Sequence, residues 1–256
     1  MSEPTINPAL ANEKMDLIKA LESSYGAEAI ATLEKGVDLP SGLTDLSLSA
    51  SQYTCTTQKA QADGLNSGGL DSIMIGYKSE IPRWKKNSTV KWAAKTAGFP
   101  TSNHAILAAR ELNKAANDWN NLDIGVQFEW VTDIKEACFI LEFVSGDFGN
   151  TLARAFFPNH DRLNSVQVYY GAFRPGSVNI LKEIFLHELG HVLGLRHEFA
   201  ASEGGAVRLG KANPQSVMSY NFPPTLQETD KEDAQAFYDY SESMYDIYKV
   251  TDYIPM

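Results

Sequence analysis

His187-Glu188-Leu189-Gly190-His191-Val192-Leu193-Gly194-Leu195-Arg196-His197-Glu198 says more about this chain than any other stretch of it. The run holds three of the five histidines. On a helix, His187 and His191 stand at i and i+4, so their side chains project from one face. Two imidazoles so placed can each give a nitrogen to the same zinc ion at about 2.0–2.1 Å. Glu188 falls between them, beside such a metal and positioned as a base. Gly194 allows the backbone to leave the helix at positive φ, and that turn brings His197 round as the third ligand. Three protein ligands leave a fourth position open for water, which marks a catalytic rather than a structural zinc site. The competing reading is an amphipathic core helix with incidental histidines, and Ile180, Ile184, Leu193 and Leu195 would suit one. Three buried imidazoles in so short a run, with no shared partner, would be hard to satisfy.

A second motif follows. Residues 216–220 read Ser-Val-Met-Ser-Tyr. With it, the chain resembles the metzincin metalloproteases, whose extended motif H-E-x-x-H-x-x-G-x-x-H is followed by a Met-turn. The resemblance covers roughly residues 88–240 and is strongest over 187–220. It implies an α/β (α+β) zincin fold: a twisted mixed β-sheet, an active-site helix, and a smaller C-terminal subdomain after the third histidine. It also implies Zn2+ as cofactor, with His187, His191 and His197 as ligands and Met218 as a hydrophobic floor beneath the metal. Tyr220 is implied to reach either the zinc or the oxyanion, as in the astacin and serralysin branches. Glu198 also looks like the astacin pattern. The implied activity is peptide-bond hydrolysis by a zinc-activated water. Glu188 would take the water's proton and pass it to the leaving amine.

Leu152-Ala153-Arg154-Ala155-Phe156-Phe157-Pro158 looks like the substrate-binding edge strand of matrix metalloproteases. Such a strand offers its free backbone groups to an extended peptide, with Ala153 and Ala155 as the candidate residues here. Pro158 would end it, since proline cannot donate to a ladder. An ordinary buried strand fits the same residues.

The chain has 256 residues, 43% of them hydrophobic and 21% charged, as in soluble globular proteins. No window approaches the roughly 18 apolar residues of a membrane span. The N-terminal sequence shows neither a basic nor an apolar signal region, so the expectation is a cytoplasmic protein or one exported by an unconventional route. A net charge of −10 argues against nucleic acid or an anionic membrane as partner. The expected partner is a peptide or protein substrate, and the expected state is monomeric. Cys55 and Cys138 do not form a disulfide framework.

Along the chain, residues 8–36 read as one or two helices, and residues 37–70 as a Ser/Gly-rich loop or linker. Residues 1–80 are thus a helical and loop segment, a candidate prosegment, and 81–256 the metzincin-like catalytic domain. Val90–Ala93, Val126–Trp130, Phe139–Leu141 and Val166–Tyr170 read as strands, and 103–119 as a helix. The active-site helix is expected to be capped by Ser177 or Asn179. Thr229-Asp230-Lys231-Glu232 has the form of a capping box opening the last helix. Many metzincins carry an inhibitory prosegment that supplies a zinc ligand. Cys55 is a candidate, yet Tyr53-Thr54-Cys55-Thr56-Thr57 lacks the proline, arginine and glycine of the matrix metalloprotease switch. The expectation for Cys55 is a quiet structural thiol. His104 and His160 are expected to lie outside the metal site. Three readings of function stay open: an active zinc endopeptidase, a zinc-containing regulatory protein that cleaves nothing, and a latent zymogen. The missing astacin disulfides and missing calcium-binding repeats set the chain apart from the best-known branches.

Overall fold

Phe139, Leu141, Val166 and Val168 are buried on neighbouring strands at the centre of the sheet that organises the fold. The structure, a computed structural model, describes residues 55, 57, 74–76, 80–146, 148–197, 206–210, 213–219 and 223–256. In chain order the strands and α-helices are β1 (Met74–Ile75), β2 (Glu80–Trp84), β3 (Ser88–Ala94), α1 (Ser102–Asn120), β4 (Val126–Trp130), β5 (Phe139–Val144), β6 (Ala153–Arg154), β7 (Asn164–Tyr169), α2 (Leu181–Val192), β8 (Leu195–Arg196), β9 (Val207–Arg208), α3 (Glu228–Asp239), β10 (Met244–Tyr245) and β11 (Tyr248–Tyr253). The residues expected to form helices over 8–36 lie outside the described residues.

The main sheet has the order β4-β3-β5-β7-β6. Its first four strands are parallel, with Trp92 opposite Phe139 and Leu141 opposite Val166. Parallel strands buried on both faces need near-continuous apolar runs, and Phe139-Ile140-Leu141 is one. The last strand, β6, runs antiparallel to β7, pairing Ala153 with Val168. It is therefore the edge strand that the sequence suggested, although it is far shorter than 152–158. Just past its end, on the open side away from β7, the backbone N–H of Ala155 donates to the Thr57 hydroxyl at 2.9 Å.

Helix α1 is capped by Thr101, whose hydroxyl accepts from the His104 N–H. It buries Ala105, Ala108, Leu112, Ala115 and Trp119 against α2 and β4. Small residues on that stripe let the two helices approach closely. The Trp119 indole donates to Leu186 O in α2 at 2.9 Å. Helix α2 starts later than expected. Ser177 and Asn179 lie within a 3-10 turn, Ser177–Ile180, so neither caps the helix, and its N-cap is Ile180 without a side-chain bond. At the other end, carbonyls that a helix terminus would leave unpaired accept from buried side chains. Trp84 Nε1 donates to Val192 O and the Tyr238 hydroxyl to Leu193 O, both at 2.8 Å. The capping box of α3 is also displaced from the expected one: it joins Gln227 and Asp230, because the helix begins at Glu228.

Two small sheets flank this body. One has the order β8-β1-β9, with Met74 opposite both Arg196 and Arg208. The other has the order β10-β11-β2. In it β11 returns after α3 to run parallel to β2, which ties the C-terminal part to the start of the described body. Among the described residues, no helix is long and apolar enough to cross a membrane.

Candidate metal centre

Helix α2 carries His187, Glu188 and His191 into the interior, each 0% exposed. The i, i+4 spacing puts both imidazoles on one face, and each ring is fixed from behind. His187 Nδ1 lies 2.8 Å from Val217 O, and His191 Nδ1 lies 2.8 Å from Leu195 O. A carbonyl can only accept, so each Nδ1 carries the proton and each neutral ring presents its Nε2 lone pair forward. Burial keeps the rings neutral. Desolvation pushes His187 down to about 4, against the smaller opposing effect of the Val217 carbonyl. Desolvation, reinforced by the neighbouring histidines, holds His191 and His197 well below the usual imidazole range.

His197 reaches the same point by the expected turn. Gly194 has φ +96°, and a Cβ there would lie 2.4 Å from Pro82 O, so only glycine fits. The chain then enters β8, whose pairing with β1 delivers His197. Its Nε2 stands 3.1 Å from His187 Nε2 and 3.2 Å from His191 Nε2. Zinc–nitrogen bonds of about 2.0–2.1 Å in a tetrahedron place the nitrogens about 3.3 Å apart. His187 and His191 present lone pairs toward this point, and a cation placed there would be within reach of all three rings. The donor set therefore fits a zinc ion in both chemistry and spacing.

The turn over 213–219 closes the underside. Met218 is buried beneath Gly190, and its sulfur would be 2.3 Å from any Cβ placed at 190. The turn is anchored by a residue that sequence reasoning did not single out for this purpose. Buried Asp230 accepts from Val217 N at 2.9 Å and from Gln227 N at 2.8 Å through one oxygen. Val217 in turn holds His187. A line of hydrogen bonds thus runs from α3 through the turn to a metal-facing ring. Tyr220 and Glu198 lie outside the described residues.

Cys55 overturns the expectation of a quiet thiol. It is buried, and its Sγ lies 3.5 Å from His191 Nε2 and 3.5 Å from Glu188 Oε1. The ligand atoms of Cys55, His187, His191 and His197 all fall within 4.8 Å of one another. One sulfur at about 2.3 Å and one nitrogen at about 2.05 Å from a tetrahedral zinc stand roughly 3.5 Å apart, which is the spacing between the thiol and His191. Burial raises its pKa well above the ordinary thiol value, with the Glu188 charge adding to the rise and hydrogen bonds from Thr57 opposing it. A metal would reverse this balance by favouring the thiolate. Two residues on, the Thr57 hydroxyl donates to Glu188 Oε2 at 2.8 Å. The separation of more than 130 residues in sequence hid these contacts.

Of the substrate-strand candidates, Ala153 sits in β6 and Ala155 just beyond it, both at the edge beside the site. His104 packs on Phe173 and His160 on Tyr253, away from the cluster as expected. Cys138 is buried at the start of β5, and burial raises its pKa to about 11.

Comparison with known proteins agrees with this arrangement. A family profile described as Met-zincin matches residues 177–251, which contain all three histidines, Glu188 and Met218. Metalloendoproteinase 1-MMP of Arabidopsis thaliana is 28% identical over 157 residues, covering 55% of this chain and 41% of the relative. The chain thus spans less than half the length of that relative. The histidine cage stands on the helix and turn that this profile matches, and over those residues the chain is similar to the Met-zincins.

Proposed function

We propose that the protein is a zinc-dependent endopeptidase, and that the arrangement described here is its latent form. The observation that carries the first half is the convergence of three Nε2 atoms with the Glu188 carboxylate in one buried chamber. His187, His191 and His197 would hold the zinc, which when bound supplies Lewis acidity and acidifies water. Glu188 would take up a proton at one carboxylate oxygen and deliver it to the leaving amine. The backbone of Ala153 and Ala155 would align an extended peptide along the open side of β6. The turn carrying Met218 would be the Met-turn of the family, giving the cage a rigid apolar floor. Tyr220 would stabilise the developing oxyanion. A zinc protein that cleaves nothing would have no need of a carboxylate beside its ligands.

Latency is favoured by one specific observation, the Cys55 sulfur at ligand distance from His191. With that thiol as fourth donor, the position needed for water is taken. Residues around Cys55 would then act as a prosegment, without the flanking sequence of the matrix metalloprotease switch.

The test is a peptide-library digest with intact and N-terminally trimmed protein, each with and without a zinc chelator. Cleavage is expected after trimming and lost on chelation. Glu188→Gln should keep the zinc and lower turnover by at least about 100-fold. Undiminished cleavage by that variant would contradict the assignment.

A further inference from the structure

The Cys55 thiol is not the whole of the contact that closes the site. We propose that the Thr57 hydroxyl is a second latch, which occupies the Glu188 carboxylate and the Ala155 N–H of the cleft edge at the same time. This inference rests on the reading of the site as a latent peptidase.

The geometry is specific. A threonine hydroxyl has one proton to give and two lone pairs to accept with. The Ala155 N–H can only donate, so at 2.9 Å it takes a lone pair of Thr57 Oγ1. The hydroxyl proton is then available to Glu188 Oε2, at 2.8 Å. Cys55 meets the other oxygen, Oε1. Both oxygens of the buried base are therefore engaged by one short piece of chain. The same hydroxyl takes the Ala155 N–H on the open side just past β6, the group an incoming peptide would use to extend the sheet. Thr57 also lines a cleft of about 440 Å³ with Arg154, Phe156, Phe157, Glu80 and Tyr253, so it stands where the edge strand opens into that space.

The hydroxyl needs no metal to make these contacts. Loss of the sulfur–metal bond alone would leave the base and the strand edge covered. Thr57 is 8% exposed, so breaking its two bonds leaves Glu188 and Ala155 N with lost partners in a buried place. The two residues should therefore open together. Thr57 acts as a positioning residue for the thiol, and its loss should expose Cys55.

The experiment measures alkylation of Cys55 by N-ethylmaleimide in the zinc-loaded full-length chain, read by mass spectrometry. Buried Cys138 serves as the internal control for global unfolding. Thr57→Val is expected to label Cys55 at least about fivefold faster than wild type with Cys138 unchanged, and Thr57→Ser to restore the wild-type rate. Thr57→Ala is run beside Thr57→Val, so that poor folding of one leaves the other to decide. Equal Cys55 labelling in wild type and in folded Val or Ala variants would overturn the latch. Peptide hydrolysis by Cys55→Ser and by the double variant Cys55→Ser/Thr57→Val separates the two ideas. Greater zinc-dependent cleavage by the double variant than by Cys55→Ser supports the latch. Equal, measurable zinc-dependent cleavage by the two rejects it while leaving the peptidase reading intact. If neither variant cleaves although Thr57→Val speeds labelling, the peptidase reading fails and the hydroxyl contact stands.

Discussion

The histidine cage and the cysteine segment that covers it meet at the same few atoms, yet they are held in different ways. Each of the first two cage rings is anchored to a backbone carbonyl, Val217 O or Leu195 O, and those carbonyls belong to a turn and a strand fixed elsewhere. The cover, at Cys55 and Thr57, meets the cage through side chains: a thiol near a ring and carboxylate, and a hydroxyl on the same carboxylate. A cage fixed through backbone is preorganised and keeps its shape when the cover leaves. A cover held by side chains can be released without unfolding what lies beneath. Under the proposed latent reading, this division would let the site be built once and opened later.

Changes to the cage sharpen the contrast most. His191→Ala removes one proposed ligand, the ring that stands 3.5 Å from the Cys55 sulfur. It is expected to weaken zinc binding by more than the roughly 100-fold seen for groups that merely support a ligand. Metal content after dialysis against a competing chelator reads this directly. A variant that still bound zinc like wild type would place the metal elsewhere.

Gly194→Ala attacks the turn rather than a ligand. With φ at +96° and Pro82 O in the way of a Cβ, the cost is at least about 1–3 kcal/mol of stability. Denaturant titration should register it, and zinc affinity should fall with it because His197 hangs from that turn. Unchanged stability would mean the turn is softer than its geometry implies.

The smallest of the three effects belongs to Asp230→Ala. It strands two backbone N–H groups, those of Val217 and Gln227, at a cost of about 1–3 kcal/mol. Because Val217 holds His187, zinc affinity should drop roughly tenfold. Loss of stability with no change in zinc affinity would break the link from α3 to the cage.

The same contrast explains what could be read in the sequence. His187, Glu188 and His191 were legible because helical periodicity is local, and Gly194 because positive φ selects its own residue. The parallel strands were legible from apolar runs such as Phe139-Ile140-Leu141. The short length of β6 was not, since its pairing with β7 ends at Arg154, well before Pro158, and its Ala155 N–H meets Thr57, a residue nearly a hundred positions away. Cys55 was misjudged for the same reason: its flanks lack a known signature, and nothing local says what it faces. Ser177 and Asn179 are plausible caps by residue type, but a 3-10 turn absorbed both. Asp230 was seen as part of a capping box two residues out of register. Its bond to Val217 joins elements that sequence spacing cannot connect.

X-ray absorption fine structure of the zinc-loaded full-length chain examines the cage and its cover in a single spectrum. Three nitrogen neighbours at about 2.0–2.1 Å and one sulfur at about 2.3 Å are expected. Trimming away Cys55 should replace the sulfur with an oxygen and leave the three nitrogens in place. Fewer than three imidazole nitrogens around the metal, or a shell of oxygens alone, would contradict the structure of the site at its root.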